Sequence, residues 1–351
     1  MNNKHRIVIT GGTGYIGSHT AVELIQKGYE VLIIDNLSNS YAEVIDSIET
    51  ITGTRPAFYN IDLNDNELVQ NFFNTNQVDA VIHFAAFKSV GESVSHPSLY
   101  YRNNINSLLN VIDACNEKGI SKFVYSSSCS VYGEPDTLPI NETAVIKPAE
   151  SPYANTKKIG EDILHDISKI SNIKSIALRY FNPVGAHKSA LIGEYPVGTP
   201  LNLFPVITQS VIGKRGPITV FGNDYQTIDG SCVRDYIHVV DIAQAHVIAI
   251  ERLLNHQTKE QFEIFNLGTG NGLTVLEVIH AFEKYTGIKV NYTIGPRRAG
   301  DVEKVYADTT KANEVLKWKS AFTLQDMITS AWEWEKKLME RSVGLNQASI
   351  K

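Results

Sequence analysis

At 351 residues and 38.9 kDa the chain is long enough for two domains, or for one large α/β unit with an appendage, at ~150 residues per domain. Its 43% hydrophobic and 20% charged content is ordinary for a folded protein and argues against disorder, while a net charge of −6 disfavours nucleic acid as the main partner, since such binding runs on a basic surface. No apolar run approaches the ~20 residues of a membrane helix, the start of the chain lacks the apolar segment of a signal peptide, and Cys115, Cys129 and Cys232, with no CxxC, predict no disulfide framework and fit a reducing cytoplasm.

Short apolar runs alternate with helical periods from the first residues. Residues 6–10 read as a strand, glycines follow, and 15–27 read as a helix stopped by Gly28. Strands are predicted over 31–34, 57–60, 80–84, 122–126 and 175–178, with helices between them, most clearly over 97–118 and 153–170. This alternation predicts an α/β fold on a parallel, doubly wound sheet, and nearly continuous apolar strands such as VLII and AVIHF predict that both of its faces are covered. After about residue 181 the texture changes. Residues 185–205 are rich in Gly and Pro, a helix is predicted over 203–212 and a strand over 218–221, and a polar loop fills 222–232. A strand over 262–266 follows, then a helix opened by the capping box Thr274-x-x-Glu277, then a last helix over 323–337 with a frayed tail beyond Arg341. The expected division is 1–181, with a segment near 234–265 returning to it, and a smaller interleaved unit over 182–351.

Gly11, Gly14 and Gly17 stand between the first strand and the first helix. A bare GxxGxxG fits any tight βα turn, but missing side chains also let backbone N–H groups approach a pyrophosphate at a helix N-terminus. Asp35 closes the second strand, 18 residues after Gly17. A carboxylate there accepts hydrogen bonds from a ribose diol and repels a 2′-phosphate, which predicts NAD rather than NADP. Metal is not expected: the ten His form no HExxH pair, and His238 and His246, eight apart, read as a helix start and a helix face.

The glycine spacing resembles the short-chain dehydrogenase/reductase superfamily, as do Ile82-His83-Phe84-Ala85-Ala86, the serine run Ser126-Ser127-Ser128, and Tyr153 with Lys157 at the head of a long helix. Tyr153 and Lys157 share a helix face. A phenol titrates near ~10 and is a poor base at neutral pH; bringing it to ~7 takes roughly 4 kcal/mol at 1.36 per unit. A neighbouring ammonium together with an oxidised nicotinamide is expected to supply that. Tyr285 and Lys289 repeat the YxxxK spacing, but Gly287 between them marks a helix end.

The runs DNLSNS (35–40), SSSCSVYG (126–133), SPYANTK (151–157), RYFNPVGAH (179–187), FGNDYQTIDGSCVRDYIHV (221–239) and PRRAGD (296–301) resemble the UDP-glucose 4-epimerase family, with the match running from about residue 6 to 335. The resemblance implies a Rossmann-type sheet binding NAD and a smaller unit binding a UDP-sugar. It also implies C4 epimerisation of UDP-glucose and UDP-galactose through a 4-keto intermediate, and a homodimer formed through the helices at 97–118 and 153–170. Leu108, Leu109, Ile112 and Cys115 on the first of these serve equally well as ordinary core. Gly11, Gly14, Tyr15, Ile16, Gly17, Asp35, Asn36, Leu37, Ser38, Asn39, Ser40, Asp62, Leu63, Phe84, Ala85, Ala86, Phe87, Lys88, Asn103, Ser128, Tyr153, Lys157 and Phe181 would line the NAD site. Ser128, Tyr153 and Lys157 would be catalytic. Lys88, Ser128, Tyr153, Asn182, Asn202, Leu203, Phe221, Arg234, Arg298, Asp301 and Val305 would meet the substrate. Taken singly, each arginine also reads as a solvated charge, and Asn103 as a solvent-facing helix residue.

In family members restricted to plain hexoses a tyrosine stands seven residues after the second arginine of PRR and crowds C2 of the sugar. Here that position is Val305, with Tyr306 beside it, which implies that UDP-N-acetylglucosamine and UDP-N-acetylgalactosamine are accepted too. Two other readings stand beside this one. A nucleotide-sugar 4,6-dehydratase would carry an Asp-Glu pair after the serine, where this chain has Cys129 and Ser130. A non-catalytic dinucleotide sensor predicts a broken Tyr/Lys pair, and this one is intact.

Overall fold

The structure, a computed structural model, describes residues 4–298 and 301–348, with side chains to Arg341. Ala299 and Gly300 of the PRRAGD run lie outside the described residues. The chain opens β1 (Arg6–Thr10), α1 (Tyr15–Gln26), β2 (Glu30–Asp35), α2 (Val44–Thr52), β3 (Ala57–Asn60), α3 (Asn66–Thr75), β4 (Ala80–His83), α4 (Val90–Ser95), α5 (Pro97–Lys118), β5 (Lys122–Ser128), α6 (Pro152–Ile170) and β6 (Lys174–Tyr180). It continues with β7 (Asn182–Val184), α7 (Leu203–Val211), β8 (Ile218–Phe221), β9 (Val233–Arg234), β10 (Tyr236–His238), α8 (Val239–Leu254), β11 (Phe262–Leu267), β12 (Leu273–Thr274), α9 (Val275–Thr286), β13 (Tyr292–Gly295), β14 (Lys304–Val305) and α10 (Leu324–Ala348).

Seven strands form one parallel sheet in the order β3-β2-β1-β4-β5-β6-β11, a Rossmann-type α/β fold with one added strand. Because strand side chains alternate faces, each apolar strand feeds two cores. Ile7, Ile9, Ile33, Ile82, Val124 and Ile176 pack on the side of α1 and α8. Val8, Leu32, Ile34, Val81, Phe123 and Ala177 pack on the side of α5 and α6. Both faces are therefore covered, which is why these strands carry no polar alternation. Strand order reverses between β1 and β4, and the loops leaving their carboxyl ends form the crevice in which such folds bind ligands.

The chain beyond β6 does not form one separate block. α8 and β11 return to the large sheet, α8 packing on α1 and β11 pairing with β6. What remains is a smaller core built from α7, α9, α10 and short strand pairs, with Val184, Phe204, Val220, Tyr236, Ile279 and Ile328 at its centre. Beyond Arg341, where the sequence predicts a frayed tail, α10 continues to Ala348. Trp334 and Leu338 anchor its middle, and no proline follows to break a helix that is already nucleated. No helix among the described residues is long and apolar enough to cross a membrane. Among the described residues no group of three or more His, Cys, Asp or Glu could hold a metal ion.

Candidate active site

The turn after β1 is tight because its glycines have no room. Gly11 sits at φ +70°, and a Cβ there would lie 2.7 Å from the Ala85 backbone nitrogen. A Cβ on Gly17 would collide with the Gly11 carbonyl. Gly12, which the sequence reading passed over, is needed for packing: a Cβ would lie 2.7 Å from the Ile33 side chain. Gly14 caps α1 with no side-chain bond, and the first turn of the helix carries no acid, so its N-terminal N–H groups and positive dipole end are left for an anion. Asp35 accepts from the Thr13 and Leu37 N–H groups at 3.2 and 2.9 Å and from the Ser40 hydroxyl at 3.1 Å. That fixes the 35–40 loop against the glycine turn, with Leu37 held at φ +59°, and a carboxylate with about four acceptor sites keeps capacity for a diol. The cradle therefore fits a dinucleotide.

The other predicted cofactor positions divide by how they present themselves. Leu63 buries its side chain in the core and Asp62 folds back on Asn64. The backbone of 84–88 is set by Asn104, whose amide accepts from Phe87 N at 2.8 Å and donates to its carbonyl at 3.0 Å. Asn104 also donates to Thr156 at 2.9 Å, tying the loop to α6. The sequence reading singled out Asn103, which is half-buried and bonds Asn64 and Asn104. The buried Asn104 beside it was not singled out, because no motif marks it and its role depends on Phe87 and Thr156, 17 and 52 residues away. Leu108, Ile112 and Cys115 are fully buried in the main core.

Ser128 ends β5 and Tyr153 lies in the first turn of α6, which Ser151 caps by accepting from Ala154 N. Ser128, Tyr153 and Lys157 are all buried, 8, 8 and 3% exposed. Burial drives the Tyr153 phenol well above its usual value, and the hydrogen bond with Ser128 works the other way. Lys157 donates to the Ser126 carbonyl at 2.7 Å and stands 5.0 Å from the centre of the Tyr125 ring. Burial lowers its ammonium to about 8, against the pull of Glu161. In the protein alone the phenol is thus held protonated; the ammonium does not offset the burial. The second YxxxK copy is resolved as predicted. Tyr285 lies in the last turn of α9, Gly287 caps that helix at φ +74°, and Lys289 lies beyond it, 86% exposed.

On the other side of the crevice, Asp301 gathers two arginines, accepting from Arg298 at 2.8 Å and from Arg234 at 3.4 Å, and Arg298 stands 5.8 Å from the centre of the Phe221 ring. Lys88 and Asn202 both reach the Glu194 carboxylate, at 3.3 and 2.6 Å; Glu194 was not foreseen. Leu203 packs toward the smaller core, and Asn182 opens β7 with its N–H on the Asp235 carbonyl. Val305 pairs with Arg234 in the β14–β9 ladder and joins a cluster with Val131, Tyr132 and Phe181. Tyr306 faces the other way: a Cβ on Gly272 would lie 3.1 Å from its ring.

The model of the family described as GDP-mannose 4,6 dehydratase matches residues 8–331. A UDP-glucose 4-epimerase of Bacillus subtilis is 48% identical over 330 residues, 94% of this chain and 96% of that protein. The chain belongs to this family, in its UDP-glucose 4-epimerase branch. Among solved structures, a UDP-glucose 4-epimerase from Stenotrophomonas maltophila with bound NAD and formylated UDP-arabinopyranose superposes with a TM-score of 0.93 at 45% identity, covering 96% of this chain and 99% of that one. The UDP-Glc/GlcNAc 4-epimerase of Campylobacter jejuni superposes with a TM-score of 0.81 at 37% identity, covering 95% and 99%. Although the family model carries a dehydratase's description, this epimerase-branch chain has no carboxylate after its serine. Cys129 and Ser130 form a 3₁₀ turn in which Ser130 donates to Ser128 at 3.2 and 3.0 Å from its N–H and hydroxyl.

Proposed function

We propose that this chain interconverts UDP-glucose and UDP-galactose by epimerisation at C4, with NAD as resident cofactor and Ser128, Tyr153 and Lys157 as its catalytic residues. The observation that carries the reading is the meeting of the Ser128 strand end with the Tyr153–Lys157 helix face beside the glycine cradle. Gly11–Gly17 would hold NAD with Asp35 at its ribose, and the bound nicotinamide would supply the acceptor for the C4 hydride and its return to the opposite face. Tyr153 Oη accepts the 4-hydroxyl proton and later returns it, and the Ser128 hydroxyl holds the substrate oxygen along that path. Lys157 supplies positive charge to the phenolate, which burial alone disfavours, so the cofactor's own cation completes the balance. Arg234 and Arg298 grip the diphosphate with guanidinium forks while the 4-keto sugar turns over. Purified protein should release nicotinamide nucleotide on denaturation and turn over UDP-galactose with no NADH build-up. Stoichiometric consumption of added NAD would instead mark a dehydrogenase. Gly11→Ala, strained at φ +70° and 2.7 Å from Ala85 N, should fold and lose most of its retained nucleotide; full retention would argue against the cradle.

The same pocket takes N-acetylated substrates. Val305 is smaller by most of an aromatic ring than the tyrosine of hexose-restricted relatives, and Tyr306, just beyond β14, lies against Gly272 instead. Likeness to a UDP-Glc/GlcNAc epimerase supports this. For Val305→Tyr we expect N-acetyl turnover to fall at least tenfold while the plain hexose pair persists, because a group that cannot fit is refused outright. Equal loss on both pairs, or no N-acetyl activity in the parent, would defeat the assignment. The working form is a cytoplasmic homodimer, consistent with three unpaired cysteines.

A further inference from the structure

We propose that Glu161 is a positioning residue for the epimerisation, the fixed counter-charge that keeps the Lys157 ammonium formed and aimed beside Tyr153; this rests on the reading that Tyr153 and Lys157 carry the proton transfer. Tyr153, Lys157 and Glu161 follow at four-residue intervals on α6 and so form one ridge. Glu161 is 4% exposed. The three serines that end β5 take one member of the ridge each. The Ser128 hydroxyl lies near enough to the Tyr153 phenol to lower its pKa, the Ser126 carbonyl accepts from Lys157 at 2.7 Å, and the Ser127 hydroxyl donates to Glu161 Oε1 at 2.5 Å. From the neighbouring strand Arg179, paired with Ser127 in the β5–β6 ladder, closes a fork on Glu161, Nε to Oε1 at 2.9 Å and Nη2 to Oε2 at 2.5 Å. Both carboxylate oxygens are thereby pinned.

A buried ion pair is a poor stabilising device, since apolar residues of similar volume often do as well. Its place here has a different use. The other titratable groups around Lys157 are His83 from β4, Tyr125 from β5, and Tyr153 and Tyr180 from α6 and β6. Burial, with the Lys157 charge second, pulls His83 down to about 3, burial lifts Tyr125 far above its usual value, and burial raises Tyr180 to about 12. All are neutral at pH 7. Glu161, whose charge is shared with the Arg179 guanidinium, is left as the negative charge facing an ammonium that burial has brought to about 8, close enough to neutral pH that losing Glu161 would lower its charged fraction.

The test is the pH profile of kcat for UDP-galactose in the parent and in the double variant Glu161→Gln/Arg179→Met, which leaves no orphaned guanidinium. The alkaline limb should move down, by less than the roughly one to two pH units of a lone charge several ångströms away at an effective dielectric constant of about 20, because the Arg179 charge leaves with that of Glu161, and KM should be unchanged. Glu161→Asp, which keeps the charge, should keep the limb. A limb that coincides with the parent's in the double variant overturns the proposal. If the double variant fails to fold, Ser127→Ala decides: it should lower kcat several-fold at constant KM, and an unchanged kcat overturns the proposal. Undiminished turnover in Lys157→Met would remove the underlying Tyr/Lys reading instead, and this inference with it.

Discussion

Tyr153→Phe is expected to lose about 10²- to 10⁴-fold in turnover, the usual contribution of a positioned general base, while retaining nucleotide and binding UDP as the parent does. The ring is 8% exposed in the first turn of α6, and phenylalanine keeps its packing. What goes is the phenol oxygen beside Ser128. The loss should fall on kcat, because no contact to the UDP half is touched. Tyr285→Phe makes the same atomic change at the end of α9, where Gly287 stops the helix before Lys289 can share a face with it, and should be nearly silent. Measuring both by progress curves with UDP-galactose separates them; equal losses would mean that the choice between the two YxxxK copies is wrong.

The inner strands of the large sheet were legible because they are buried on both faces. RIVIT falls where a continuous apolar run closed by glycines puts it, the long helix over 97–118 between Pro97 and Gly119, and the edge strand AFYN, with no fully buried residue, just after Pro56. The smaller unit was not legible in the same way. β9, β12 and β14 are two residues long and hold only because tertiary contacts align them, so no local period announces them. In the site, Gly11, Asp35 and Tyr153 belong to short motifs whose chemistry dictates their spacing. Asn104, Glu194 and the Glu161–Arg179 pair act through partners 17 to 106 residues away, and a lone Asn or Glu in a helix or loop reads as surface until the fold closes around it. The short run SSS shows the same limit. Its last hydroxyl stands out in the sequence as a catalytic candidate, while the contacts of the middle one depend on what β6 brings opposite.

Stability is expected to collapse on acidification between pH 6.5 and about 4, driven by four buried histidines. Burial lowers His19 and His83 to about 3, and His246 and His238 to about 4. Geometry gives the same sign. His19 and His246 each spend Nδ1 on the carbonyl four residues back, and their buried Nε2 atoms have no partner, so a second N–H there would face no acceptor. His238 Nδ1 accepts the Val240 N–H at 3.1 Å, a bond that protonation would remove. In the unfolded chain these rings titrate near ~6.5. Below that pH the unfolded state binds more protons than the folded one, so stability rises with pH across the window; it is fully present above ~6.5 and lost as pH falls toward the folded values. Each ring contributes a slope of roughly 1.4 kcal/mol per pH unit where it is charged only in the unfolded state. Asp241, raised to about 6 by burial, opposes this, as do Glu23, Glu142 and Asp235, also raised by burial, while His187, lowered by burial, adds to it, and the histidines set the sign. Urea midpoints should therefore fall steeply from pH 7 to pH 5 and change little from pH 7 to pH 8, and His246→Leu should flatten the acid limb by about one proton's slope. A midpoint that holds level from pH 7 to pH 5 would mean that the rings find acceptors or water on protonation, and the buried, half-partnered arrangement around His19 and His246 would then not govern acid stability.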